Sequence, residues 1–343
     1  MCTNFMIPLD EEKQFVVTAR TMDFGQPMDC VLCMIPRGES FPLIPPDHAY
    51  RWTNTYGFVA MTAMISISKL QIDAPYYTDG LNEKGVSAAL LWLPGTIYPS
   101  PSQTTPNLYM ADLVSLVLGM AADVGDAVSL LRSVNVIDFP FLRDADYPPL
   151  HLIVCDANGD SVIFEFLDGA MEVTPCDNGV MTNAPEYSWH LLNLLNYENL
   201  SVYNSPQEHW GQEINGSGML GLPGDATPPS RFVRITCMLD TIFPPADTQE
   251  AIGLASQLTQ TVTVPYGTIA SINEQDEEIM ADFTQWNVVR DHVNGVYYVA
   301  TPFNPTLQRI NLAELDFSAS KRTCIPIVQA AWFNDITNQF PTA

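Results

Sequence analysis

Residues 1–24, MCTNFMIPLDEEKQFVVTARTMDF, contain two β-rich runs separated by turn material. Cys2 to Ile7 reads as a short strand, Pro8-Leu9-Asp10-Glu11-Glu12 as a turn, and Gln14 to Met22 as the returning strand. A turn centred on Glu11 sets Ala19, Arg20 and Thr21 against the start of the chain, with Arg20 beside Cys2. A slip of one residue would turn Arg20 to the opposite face, so the register decides whether the two meet. Asp23 follows three residues later.

Cys2 matters because of where it stands. A cysteine after Met1 is small enough for the methionine to be removed, which leaves a free α-amine on the residue that carries the thiol. A thiol with a pKa of about 8.5 and an α-amine of about 7.7–8.0 can share a proton near neutral pH. The amine can take the thiol proton and later return it to a departing amine. A guanidinium at Arg20 would favour the thiolate, and Asp23 could hold the ammonium by a hydrogen bond.

Further strands read near Cys30 to Ile35, Tyr56 to Ala63 and Val86 to Trp92, then helical spacing over Leu108 to Leu131 with a break near Gly125. His151 to Cys155 and Ser161 to Leu167 form a hairpin around Asn158-Gly159-Asp160. Glu186 to Tyr197, Arg231 to Asp240 and Thr248 to Thr259 read as helices, and Gly295 to Thr301 and Gln308 to Leu312 as closing strands. Strands, helices, strands and helices in this order predict a layered α+β fold. With no convincing linker or repeat, residues 1–343 are expected to form a single domain.

Composition narrows the function. A net charge of −25 leaves little to neutralise a phosphate backbone or to dock on an anionic membrane. No run approaches the roughly 18–20 apolar residues of a membrane span, since the longest, Met110 to Ala122, carries Asp112. As the chain stands, beginning Met1-Cys2-Thr3-Asn4 with no signal peptide, it is expected to be cytoplasmic. It would be periplasmic if Met1 replaced a presequence. Seven cysteines, an odd number, do not suggest a disulfide scaffold. Cys30-Val-Leu-Cys33 lacks the second pair of a zinc site and lies on a strand instead of opening a helix, against a redox role. The five histidines include no H-E-x-x-H, and there is no G-x-S-x-G elbow or P-loop. A self-contained Cys2 needs none of these, so no metal or cofactor is expected.

Five blocks together resemble the choloylglycine hydrolase family, which contains penicillin V acylases and conjugated bile acid hydrolases. They are Cys2-Thr3, Arg20-Thr21-Met22-Asp23-Phe24, Asp79-Gly80-Leu81-Asn82-Glu83-Lys84-Gly85, Met181-Thr182-Asn183-Ala184-Pro185, and Leu222-Pro223-Gly224-Asp225 with Ser230-Arg231-Phe232. The resemblance implies an N-terminal-nucleophile (Ntn) hydrolase fold, a four-layer αββα sandwich of two antiparallel sheets with flanking helices. It implies Cys2 as nucleophile once Met1 is removed, by autocatalysis or an aminopeptidase, with Arg20 and Asp23 tuning it. Asn183 would donate its side-chain N–H to the oxyanion, and the backbone N–H of Trp92 would be the second donor. Arg231 would complete the charged surround. Asn82-Glu83-Lys84-Gly85 is kept as a hairpin turn. A homotetramer is also implied.

The acyl group of a small-molecule amide would enter an apolar pocket, for which Met22, Phe24, Met28, Ile65 and Trp92 are the candidates. Trp92 within Leu90-Leu91-Trp92-Leu93-Pro94-Gly95 looks like the Gram-negative branch of the family. Members there tend towards penicillin V and long-chain N-acyl homoserine lactones. The alternatives are a conjugated bile acid hydrolase and, outside catalysis, a protein that binds amphipathic amides on the same fold.

Overall fold

The opening runs fold into an antiparallel pair, β1 (Cys2–Met6) and β2 (Val17–Phe24), two residues out of the expected register. Cys2 opposes Met22, and Arg20 opposes Asn4. The reason lies at the far end of the hairpin, where Ile7 still bonds Val17 and Phe15-Val16-Val17 are drawn into the core. An even shift keeps every side chain on its face, so Arg20 becomes a diagonal neighbour of Cys2 and stays on the same side.

The computed structural model describes residues 1–9, 14–25, 30–67, 72–139, 149–204, 208–209, 212–272, 279–301 and 303–327. After β2 the chain runs through β3 (Cys30–Ile35), β4 (Phe58–Ile67), β5 (Ile72–Asn82) and β6 (Ser87–Trp92). Two helices follow, α1 (Leu113–Met120) and α2 (Val124–Arg132). The break between them falls at Ala121 to Asp123, where Asp123 caps α2 by accepting from the Asp126 N–H at 2.8 Å, and Gly125 lies inside the helix. Then come β7 (Leu150–Cys155), β8 (Ser161–Leu167), β9 (Ala170–Pro175) and the short β10 (Val180–Met181). Helices α3 (Tyr187–Leu194), α4 (Pro228–Leu239) and α5 (Thr248–Val262) precede the last strands. These are β11 (Ile269–Ile272), β12 (Ile279–Asp291), β13 (Val296–Thr301), β14 (Asn304–Asn311) and β15 (Thr323–Pro326).

Among the described residues, one sheet has the order β10-β1-β2-β12-β13-β14 with β11 on β12, and the other β9-β8-β7-β6-β5-β4-β3-β15. Every pairing in both is antiparallel. The sheets face each other over Met61, Leu81, Leu91, Ile153, Ile163 and Val288. The alternate residues Leu90, Leu152 and Phe164 turn outward to meet Leu113, Leu116 and Val117 of α1. Burial on both faces explains why these strands read as continuous apolar runs. Helices α4 and α5 cover β1 and β2 on the other side, which completes a four-layer αββα sandwich.

Among the described residues the cysteines form one disulfide, between Cys33 and Cys324, which the sequence reading did not anticipate. Cys324 stands opposite Cys33 on the edge strand β15. A sequence separation of 291 residues leaves no local signal of that pairing.

Candidate active site

Cys2 lies at the start of β1, 3% exposed, between the two sheets. On that face the Arg20 guanidinium reaches it, with Nη2 3.5 Å from Sγ. Arg20 is held from several directions. Nη1 donates to the Thr78 carbonyl and, at 3.0 Å, to Asp79 Oδ2; Nη2 also donates to the Leu90 carbonyl. Its plane lies over the Trp286 ring, 5.2 Å from the centroid. These contacts exploit a gap in the second sheet. Strands β5 and β6 pair only from Asp79–Ala89 to Leu81–Ser87, and Arg20 enters where they part.

The opposite face of β1 meets Arg231, also fully buried. The residue sits in the first turn of α4, which Pro228 and Pro229 start with their fixed φ. Its Nη1 donates to the Cys2 carbonyl at 2.6 Å and to Thr3 Oγ1, and its Nη2 to Asn183 Oδ1 at 2.8 Å. Asn183 Oδ1 also accepts from the Cys2 main-chain N–H at 2.6 Å. Two donors on one atom fix the orientation of this amide: Oδ1 faces Cys2 and Arg231, and Nδ2 donates to the Trp92 carbonyl at 2.8 Å.

Trp92 ends β6, opposite Leu150. The next pair along is joined by a bond from the Leu93 N–H to the Pro149 carbonyl, so Trp92–Leu150 is a non-hydrogen-bonded pair. The N–H and C=O of Trp92 therefore both point away from β7, to the side on which Asn183 lies. The indole is half-buried.

Asp23 pairs with the residue before Cys2. With Met1 in place the α-amine belongs to Met1, and it donates to the Asp23 carbonyl at 2.6 Å, while the Asp23 N–H donates to the Met1 carbonyl at 2.7 Å. The contact is main chain to main chain. The carboxylate accepts from Thr284 Oγ1 and Thr21 Oγ1, and burial raises its pKa against the opposing pull of Arg231.

Met22 joins the site, its Sδ 3.5 Å from Cys2 Sγ. Phe24 lies on the same face two residues on, partly exposed. Ile65 is on β4 with its side chain outside the described residues, as is the whole of Met28.

Residue-by-residue reading missed the supports. Asp79 accepts from Arg20, from Arg290 Nε at 3.1 Å and Nη2, and from the Tyr297 hydroxyl at 2.8 Å. Arg20, Arg231 and Arg290 against Asp23 and Asp79 leave one buried positive charge in excess among these five side chains. A signal was present: with only 14 Lys and Arg, an arginine inside the apolar runs Val16-Val17-Thr18-Ala19-Arg20 or Val288-Val289-Arg290 needs a buried partner.

An αββα sandwich whose first strand lies inside one of the two facing sheets defines the class, the Ntn hydrolases, and solved structures agree. A conjugated bile acid hydrolase from Clostridium perfringens superposes with a TM-score of 0.82, at 23% identity over 98% of this chain and all of that one. A penicillin V acylase from Agrobacterium tumefaciens superposes with a TM-score of 0.76, at 27% identity over 95% of this chain and 91% of that one. Residues 2–325 match the family described as linear amide C–N hydrolases, choloylglycine hydrolase family, and the chain belongs to it. Relatives include a bile salt hydrolase/transferase of Clostridium perfringens, 26% identical over 91% of this chain and 92% of that protein. A penicillin V acylase of Pectobacterium atrosepticum is 27% identical over 92% of this chain and 82% of that protein. The protein is an amide hydrolase of this family.

Proposed function

We propose that Cys2 is the nucleophile, freed by removal of Met1, and that the enzyme is an acylase for amides with an apolar acyl group, of the penicillin V type. The observation that carries this is the position of Cys2, with Arg20 3.5 Å from its thiol and Asn183 Oδ1 2.6 Å from its main-chain nitrogen. Hydrolysis of the Met1–Cys2 bond turns that nitrogen into an α-amine. Cys155, Cys176 and Cys237 are poor candidates for a thiolate: burial pushes Cys155 and Cys237 up, and Cys176 up to about 12.

In the reaction, the Cys2 thiol gives its proton to the α-amine while sulfur bonds to the substrate carbonyl carbon. The oxygen becomes an oxyanion, which the free N–H of Asn183 Nδ2 and the Trp92 main-chain N–H stabilise. Collapse breaks the C–N bond, and the leaving amine takes the proton from the α-ammonium. Water then attacks the thioester by the same proton path, releasing the acid and restoring the thiol. Met22, Trp92 and Phe24 offer the acyl chain an apolar wall.

The test is a hydrolysis panel of penicillin V, glyco- and tauro-conjugated bile acids and long-chain N-acyl homoserine lactones, run on wild type and Cys2→Ala with intact mass recorded. Turnover of penicillin V that disappears in Cys2→Ala, from a chain lacking Met1, is the expected result. Preference for the bile acids would transfer the assignment to them. Full activity in chains that retain Met1 would refute the nucleophile mechanism.

We also infer that the chain matures in an oxidising compartment, as a periplasmic protein would. The Cys33–Cys324 disulfide supports this, because such bonds are rare where thiols are kept reduced.

A further inference from the structure

We propose that His190 is the positioning residue for Asn183, holding the oxyanion donor in place from behind its peptide group. The inference rests on the role given to Asn183 above. Asn183 lies between β10 and α3. His190, on α3 and 2% exposed, places Nε2 2.8 Å from the Asn183 carbonyl and 3.4 Å from Thr182 Oγ1. A carbonyl only accepts, so Nε2 carries the hydrogen and the neutral ring is the tautomer in place. Burial lowers the pKa of His190, which keeps it in that form at neutral pH.

The ring is itself fixed. It stacks on Phe232, with centroids 4.6 Å apart and planes 16° apart, and Phe232 follows Arg231 on α4. Arg231 holds the side-chain oxygen of Asn183 and His190 holds its main-chain oxygen, so two packed helices grip one residue at both ends. The preceding carbonyl is held the same way. His151 Nε2 is 3.0 Å from the Thr182 carbonyl and its Nδ1 3.2 Å from Glu165 Oε1. Glu165 in turn accepts from the Tyr187 N–H at 3.0 Å, at the start of α3. An oxyanion donor works only if it is already aimed when charge develops, and a loose one forfeits most of its effect.

His190→Phe keeps an aromatic ring on Phe232 and removes the donor, and His190→Gln keeps an N–H near the Nε2 position. On a substrate that wild type hydrolyses, His190→Phe is expected to lower kcat roughly 10- to 100-fold with KM within about twofold. His190→Gln should recover most of the rate, and iodoacetamide should alkylate Cys2 equally fast in all three proteins. Asn183→Ala should be slow, and adding His190→Phe to it should cost little more, because the histidine acts through the asparagine. Thermal unfolding checks that each variant is folded, and His190→Leu replaces the Phe variant if that fails. A wild-type kcat in His190→Phe, equal losses in the Phe and Gln variants, or full additivity with Asn183→Ala would overturn the proposal. Wild-type activity in Asn183→Ala would instead remove the oxyanion role itself, and this inference with it.

Discussion

Asp79 faces two guanidinium groups and a phenol at zero exposure. Two arginines from one sheet converge on a single carboxylate from the other, so Asp79 orients Arg20 while joining the layers. Removing the charge strands both cations, and breaking a buried ion pair costs on the order of 3–5 kcal/mol. Asp79→Asn is therefore expected to lower unfolding free energy in urea by about that amount. A loss below about 1 kcal/mol would mean that water or a rearranged arginine takes over. This residue shows the limit of local reading. Cys2, Arg20, Asn183 and Arg231 were legible because each sits in a recognisable block. Asp79 sits in such a block too, but its role exists only once β2 and β12 bring two arginines from distant sequence against it.

At the scale of elements, α4 carries Arg231, and its entry is fixed by Asp225. The Asp225 carboxylate accepts from the Thr227 N–H at 2.9 Å, Thr227 Oγ1 at 2.6 Å and Ser230 Oγ at 2.7 Å. These bonds, led by that of Ser230, pull its pKa down to about 2. A depressed carboxylate stabilises the fold fully above its ordinary value of 3.8 and loses that contribution as pH falls through about 2. Asp225→Asn should thus melt about 2 °C below wild type at pH 7, and the gap should close between pH 4 and 2. A gap of constant size across that range, in melting curves, would refute the assignment. The Leu222-Pro223-Gly224-Asp225 block was visible in sequence as a loop and a family signature. By contrast β12, the long strand paired with both β2 and β13, was not, since Thr284, Gln285, Asn287 and Arg290 interrupt its apolar residues. Those polar residues are where the strand serves the site, as Thr284 and Arg290 show.

Across the whole molecule, the order of strand and helix runs made a layered α+β fold legible, while the four-layer sandwich was implied by the family resemblance. The closure of the chain on itself was not legible. Strand β15 adds to the outer edge of the eight-stranded sheet with four exposed residues, too little buried surface to hold an edge strand alone. Its one deep anchor is covalent: Cys324 bonded to the fully buried Cys33. Arg322 adds an ion pair to Glu39 just before the strand. A disulfide that closes so long a loop typically contributes about 2–4 kcal/mol. Two measurements test this together with the compartment inferred for the chain. Protein purified without reductant and denatured should titrate five thiols, those of Cys2, Cys30, Cys155, Cys176 and Cys237, and all seven after reduction. Cys324→Ser should unfold at lower urea than wild type by an amount that dithiothreitol reproduces in wild type and does not change in the variant. Seven thiols in protein recovered from its native compartment would overturn the oxidising assignment. Equal stability of wild type and variant without reductant would show instead that the edge strand holds without its covalent anchor.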